Sequence, residues 1–184
     1  MKRSVLIAFL TCAATILHAQ DIKFPALDSS PADIVYYPLN VAKAKDAAVP
    51  LIKVVYSRPS KKGREVFGVL EQFGKVWRAG ANENTEIRFY KTATIGGKKI
   101  KAGTYSLFVI PNKDKWTIII NKQTDKWGAF TYDETKDILR TDVEVKALDK
   151  PIEVMSITFT TQAYGANLVI GWDSSIVELP VTIR

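Results

Sequence analysis

From residue 51 onward the apolar positions come in short runs broken by turn-forming residues, and no run carries the 3.6-residue recurrence of an amphipathic helix. Residues 51–56 are apolar and β-branched, 66–70 and Val76-Trp77 are shorter pieces, and 85–90 resumes as a strand. The run 104–110 is stopped by Pro111-Asn112 and answered by 116–120 across Lys113-Asp114-Lys115, which predicts a hairpin. Ile95-Gly96-Gly97-Lys98 predicts a second one, because adjacent glycines supply the positive φ of a tight two-residue turn. Further strands are predicted over 138–147, 152–161, 166–172 and 177–183, with turns at Asp149-Lys150-Pro151, Tyr164-Gly165 and Asp173-Ser174-Ser175. Within the third of these, Leu168, Ile170 and Trp172 fall on one face against Asn167, Val169 and Gly171 on the other. Ahead of this series, 34–37 reads as a first strand ending at Pro38, and the alanine-rich 41–48 as a helical turn or a loop. The segment 122–137 is polar with Trp127, Phe130 and Tyr132 interleaved, and is expected to cover one end of the domain. The fold class predicted is all-β: an antiparallel β-sandwich of about nine strands with little helix.

The first residues follow a different pattern. Lys2 and Arg3 precede an apolar run that closes with Leu17-His18-Ala19, the form of a secretory signal peptide. The run is interrupted by Thr11 and Thr15 and passes into Gln20 and Asp21, so it is short for a membrane anchor, which needs about 20 apolar residues. Cys12 follows Phe9-Leu10-Thr11, without the small residues usual before a lipidated cysteine. The expected organisation is a signal peptide over 1–19, a lead-in and first strand over 20–50, and one β-sandwich domain over 51–184. The product is expected to be exported, to the periplasm or beyond, with no integral membrane segment after cleavage.

This expectation changes the chemistry available. The chain has one cysteine and one histidine, Cys12 and His18, and both lie in the segment expected to be removed. The mature chain then has no cysteine nucleophile, no Ser-His-Asp triad, no disulfide and no zinc site built on these residues. A formal net charge of +7 includes Lys2 and Arg3, so the mature chain is less basic. Its basic and aromatic residues are not interleaved as in nucleic-acid binders, and no nucleic-acid partner is expected.

Several segments together resemble one family, the bacterial domain-of-unknown-function family numbered 2911, over roughly 57–159. The resemblance is carried by Tyr56-Ser57-Arg58-Pro59 with Lys62-Gly63-Arg64 and Phe67-Gly68, and by Val76-Trp77-Arg78-Ala79-Gly80-Ala81-Asn82-Glu83 with Thr85. Ala102-Gly103-Thr104-Tyr105-Ser106-Leu107-Phe108 and Trp127-Gly128-Ala129-Phe130 complete it. It implies a secreted, largely β domain. It brings no activity, substrate or catalytic residue with it.

Candidate chemistry concentrates on loops. Arg78, Asn82, Glu83, Asn84 and Thr85 lie close together on a glycine-containing loop, and loops at the end of a sandwich are where binding residues project. Arg78 can fork onto a carboxylate or phosphate, Glu83 can serve as a base or sugar ligand, and the amides can hold hydroxyls. The bland alternative is an Arg78–Glu83 ion pair over a self-satisfied turn. Arg58, Lys61, Lys62 and Arg64 make a dense basic loop around Pro59 and Gly63, and Arg58, Lys62 and Arg64 are weaker candidates for holding an anion. Trp116 and Trp172 belong to strands and are expected in the core, whereas Trp127 is the aromatic best placed to meet a ligand. No phosphate-cradling, dinucleotide-binding or serine-nucleophile motif is present, and no metal or cofactor is expected.

The expected function is therefore binding of a small polar or glycan-like ligand by an exported β-sandwich, through Arg78, Asn82, Glu83, Thr85 and Trp127. One alternative is a hydrolase of sugars or cell-envelope polymer in which Glu83 pairs with another carboxyl, from Glu65, Glu71, Asp133 or Glu134. The other is a structural or partner-binding envelope protein.

Overall fold

The computed structural model describes residues 22–44 and 48–183. The expected signal peptide, with Cys12 and His18, lies outside them. Among the described residues nine antiparallel strands form one hydrogen-bonded sheet in the order β1-β2-β3-β6-β7-β8-β9-β4-β5. In chain order they are β1 (Ala32–Tyr37), β2 (Ile52–Ser57), β3 (Thr85–Phe89), β4 (Ala93–Ile95), β5 (Lys98–Ile100), β6 (Gly103–Ile110), β7 (Lys115–Asn121), β8 (Asp137–Gln162) and β9 (Gly165–Ile183). The helical content among the described residues is two single 3-10 turns, Val41–Lys43 and Glu134–Lys136. The first of them realises the start of the alanine-rich stretch; positions 45–47 lie outside the described residues.

Both predicted hairpins form. Gly96 and Gly97, at φ 54° and 77°, turn β4 into β5, and β6 pairs with β7 from Ser106↔Asn121 to Ile110↔Thr117. The last part of the chain differs from the sequence expectation. The turn signals predict four strands over 138–183, and the chain makes two long ones. The cause is the placement of the turn residues, which face each other across the β8–β9 ladder. Between the pairs Ala147↔Ser175 and Ile152↔Asp173, the four residues 148–151 stand opposite Ser174 alone. The surplus is a bulge, not a chain reversal, and Pro151 sits in it without removing a ladder hydrogen bond.

A second irregularity follows directly. Between Ile152↔Asp173 and Ser156↔Gly171, residues 153–155 stand opposite Trp172 alone. Their backbone groups pair instead with the loop after β2: the Lys61 amide donates to the Glu153 carbonyl at 2.7 Å, and the Met155 amide donates to the Pro59 carbonyl at 2.9 Å. The bulge thereby fixes the basic loop against β8.

The core lies between the two halves of the sheet. Ile52 and Val54 of β2, Ile87 and Phe89 of β3, and Trp116, Ile118 and Ile120 of β7 are all buried. So are Met155, Ile157 and Phe159 of β8 and Leu168, Ile170 and Trp172 of β9, in the same cluster. Phe67 joins them from a loop, with its ring centroid 4.7 Å from Trp116, 5.9 Å from Trp77 and 6.2 Å from Trp172. Tyr56 of β2 ties the halves together by accepting from the Ile157 amide at 2.9 Å. The segment 122–137 packs on the 82–84 loop through the backbone of Lys126 and Gly128, and on β6 through Tyr132. Its Tyr132 ring meets buried Phe108 of β6 at 5.1 Å, edge to face, and its hydroxyl donates to Asp137 at 2.5 Å.

Candidate functional site

Two loops distant in sequence meet beside the β8 bulge. The first, 58–64, leaves β2. Lys62 adopts φ 51° and Gly63 φ 71°, curling the loop so that the Lys62 amide donates to Glu153 Oε1 at 2.8 Å. Lys61 is committed to Asp173, at 2.6 Å. Arg58 is equally committed: it donates to the Met155 carbonyl at 3.1 Å, to Asp33 at 2.9 Å and to Ser156 Oγ at 2.8 Å. Arg64 is held in place by the carbonyls of Lys61 and Ser60, at 2.9 Å and 2.6 Å.

The second loop, 78–84, precedes β3 and is tightly wound. Ala79 and Asn82 both have positive φ, 54° and 58°. The Trp77 indole donates to the Gly80 carbonyl at 3.1 Å, and the Ala81 amide donates to the Ser57 carbonyl at 3.3 Å. Thr85 closes the turn, its amide donating to the Arg78 carbonyl at 3.1 Å and its Oγ1 to the Ala79 carbonyl at 2.8 Å. Thr85 is fully buried, so its hydroxyl holds the loop from within. Thr85→Val keeps the shape and strands the Ala79 carbonyl, and is expected to lower the unfolding free energy by about 1–2 kcal/mol in urea titrations.

Between the loops lies a cleft of about 280 Å³. Lys62 and Arg64 line it from the first loop, Arg78, Gly80 and Ala81 from the second, and Ser29 and Ser30 from the lead-in. Leu70 and Glu71, from the intervening 66–74 excursion, complete the wall beside Trp172. The lead-in is tethered here by the Arg58 amide, which donates to the Pro31 carbonyl at 3.0 Å, and within it Asp28 accepts from the Ser30 amide at 2.6 Å. That bond, with a second from the Asn82 side chain, holds the Asp28 carboxyl below its usual range.

Three cations and one carboxyl thus share the cleft. Arg58, Lys61 and Arg64 all have assigned partners, but among the described residues neither the Lys62 ammonium nor the Arg78 guanidinium hydrogen-bonds to the protein. Arg78 Nε is buried without any partner. Burial pushes the Glu71 carboxyl up from 4.5 to about 7, against the opposing pull of Arg78 and Arg64. The folded state therefore keeps a proton there that the unfolded chain has already released. The stabilisation from this group is complete below about pH 4.5 and is lost as the pH rises through about 7. Glu71→Gln removes that decline: relative to wild type it gains up to about 3 kcal/mol between about pH 5 and about pH 8, measurable by denaturant titration at each pH.

The structure divides the residues singled out from sequence. Arg78 is brought together with Lys62 and Arg64. Glu83 lines a different cavity, of about 300 Å³, with Asn84, Glu86 and Asp125. Asn82 sits between the lead-in and the Trp127 loop, its carbonyl accepting from the Gly128 amide at 2.9 Å. Asn84 is buried and docks the Trp127 loop onto β3: its Nδ2 donates to Ser106 at 2.6 Å and its Oδ1 accepts from the Lys126 amide at 2.8 Å. Trp127 is 62% exposed and pairs through its backbone with Glu83, outside the walls of both cavities. Arg58 is a structural cross-link between β1, β2 and β8. Glu71, Ser29 and Ser30 are cleft residues that the sequence pattern does not bring to this site. Glu71 is flanked by Val69-Leu70 and Phe73, and a lone carboxyl among apolar residues is the signal that marks it. No group of three or more His, Cys, Asp or Glu among the described residues is placed to hold a metal ion.

A family profile for a protein of unknown function, DUF2911, matches residues 38–181. The chain belongs to the DUF2911 family. The match extends beyond the 57–159 region in which the resemblance is visible by eye, and it contains both loops of the cleft. Within DUF2911 the shared region begins at Pro38, so Ser29 and Ser30 contribute to the cleft from outside it. No curated protein and no solved structure matches the chain. Among the described residues of this DUF2911 member, no helix is long and apolar enough to cross a membrane.

Proposed function

We propose that this protein is an exported binding protein for a small polar anion, a carboxylate, sulfate or phosphate group carried on a compact or sugar-like body. Arg78, Lys62 and Arg64 hold the anionic group, and the serines of the lead-in and the backbone of Gly80 and Ala81 meet its polar remainder. The observation that carries this reading is the convergence of three cations from two loops on one cleft, with the buried Arg78 Nε lacking a partner. A buried, unpaired donor destabilises a fold by about 1–3 kcal/mol. An anion paired with the guanidinium offsets that cost.

The test is isothermal titration of the purified protein with sulfate, inorganic phosphate, D-glucuronate and uncharged D-glucose. Saturable binding of an anion, absent with glucose and lost in Lys62→Ala while its circular dichroism is unchanged, supports the reading. Equal heats for glucuronate and glucose refute it. A hydrolase acting on sugars or envelope polymer keeps one observation in its favour, the presence of Glu83, Glu86 and Asp125 on one cavity. It requires turnover of a glycan substrate that Glu83→Gln and Glu86→Gln each abolish.

A further inference from the structure

We infer that the cleft takes up its anion together with one proton, carried by Glu71, whose carboxyl then donates a hydrogen bond to the ligand. This rests on the anion-binding reading above and goes beyond it in naming a proton as the co-ligand and a hydrogen-bond acceptor as part of what the ligand must present.

Glu71 faces mainly cations. Arg64 and Arg78 act on its charge, Lys62 shares the cleft, and among the described residues no second carboxyl lines the same wall. In such company an ionised glutamate is expected to be captured in an ion pair. Among the described residues the Glu71 side chain instead makes neither a hydrogen bond nor an ion pair. Its backbone is fixed independently, the Glu71 amide donating to the Val66 carbonyl at 2.8 Å and its carbonyl accepting from the Gly68 amide at 2.9 Å. The carboxyl is thus positioned but uncommitted, and burial holds its titration near neutrality.

An incoming anion changes the balance. Ionised Glu71 repels the anion, and protonated Glu71 both ends the repulsion and supplies a donor. Because the ligand charge competes with ionisation, binding draws a proton onto Glu71 wherever the free cleft has lost it. Affinity is therefore highest below about pH 7 and falls by up to about tenfold per pH unit above it. Arginine and lysine side chains ordinarily titrate well above this range.

Sulfate and D-glucuronate are the probes, since neither changes its own charge near neutrality. Titration calorimetry of the wild type between about pH 6 and about pH 8.5, in buffers of different ionisation enthalpy, reads affinity and protons together. The expected result is a sulfate or glucuronate affinity that drops about tenfold per unit above neutrality with close to one proton taken up, and both signatures gone in Glu71→Gln, which binds at every pH. Binding whose affinity is flat across the range, with no proton uptake, overturns this inference and leaves the anion site standing. Persistence of the proton uptake in Glu71→Gln overturns it as well, by placing the proton elsewhere. Absence of binding in both proteins at every pH overturns the anion site itself.

Discussion

Trp116→Ala is expected to lower the free energy of unfolding by about 3–5 kcal/mol, a large share of the about 5–15 kcal/mol that holds a domain folded. Trp116 is completely buried on β7, and its ring is the nearest of the three tryptophans that surround Phe67. Truncation leaves a cavity where Phe67 and Trp77 lose a face each. The loss also reaches the cleft. Phe67 belongs to the 66–74 excursion that carries Glu71, and Trp77 immediately precedes Arg78. Urea unfolding followed by circular dichroism measures the effect directly. Trp127→Ala is the contrast: with 62% of its surface exposed and no ring partner among the described residues, it is expected to shift stability by less than about 0.5 kcal/mol. A loss at Trp127 equal to that at Trp116 would contradict a core to which Trp116 belongs and Trp127 does not.

That contrast is legible in the sequence, and the reason is local. Trp116 alternates with Ile118 and Ile120 on one face of a strand, whereas Trp127 follows Asp125-Lys126 and precedes Gly128 in a stretch without period. The same local logic places both hairpins and β2, β3, β6 and β7 within a residue or two. It fails at Asp149-Lys150-Pro151 and Asp173-Ser174-Ser175 because a turn signal specifies a break in the ladder and not its kind. Whether the break becomes a reversal or a bulge depends on what stands opposite, and in this chain each signal stands opposite the other. The candidate site is half legible for a related reason. Arg78 and the basic loop are both visible, but as separate features, since the pairing of β8 with 59–61 and the bond from the Ala81 amide to the Ser57 carbonyl together bring them to one cleft. Proximity along the chain groups Glu83 with Arg78. The positive φ at Ala79 and Asn82 winds the intervening backbone, and the two side chains enter different cavities.

Arg78→Met separates function from stability. The substitution keeps most of the side chain's apolar stem and removes the guanidinium, so packing beside Gly80 and Ala81 survives while the charge and the donors go. Because Arg78 Nε is buried and unpaired, its removal deletes a group whose desolvation nothing in the protein offsets. The variant is therefore expected to be as stable as the wild type or more stable, by up to about 2 kcal/mol, in contrast to the destabilisation that most buried substitutions cause. Anion affinity is expected to fall by at least about tenfold, the loss of one charge-assisted contact. A third readout follows from Glu71. Arg78 pulls the Glu71 carboxyl down from where burial alone would put it, so without Arg78 the titration midpoint moves above about 7, which ¹³C NMR of the glutamate side chains detects. A purely structural arginine gives the opposite pair of results, lost stability and unchanged anion affinity. Gain of stability together with loss of binding is the combination a residue shows when its side chain has been kept unsatisfied for a ligand to complete.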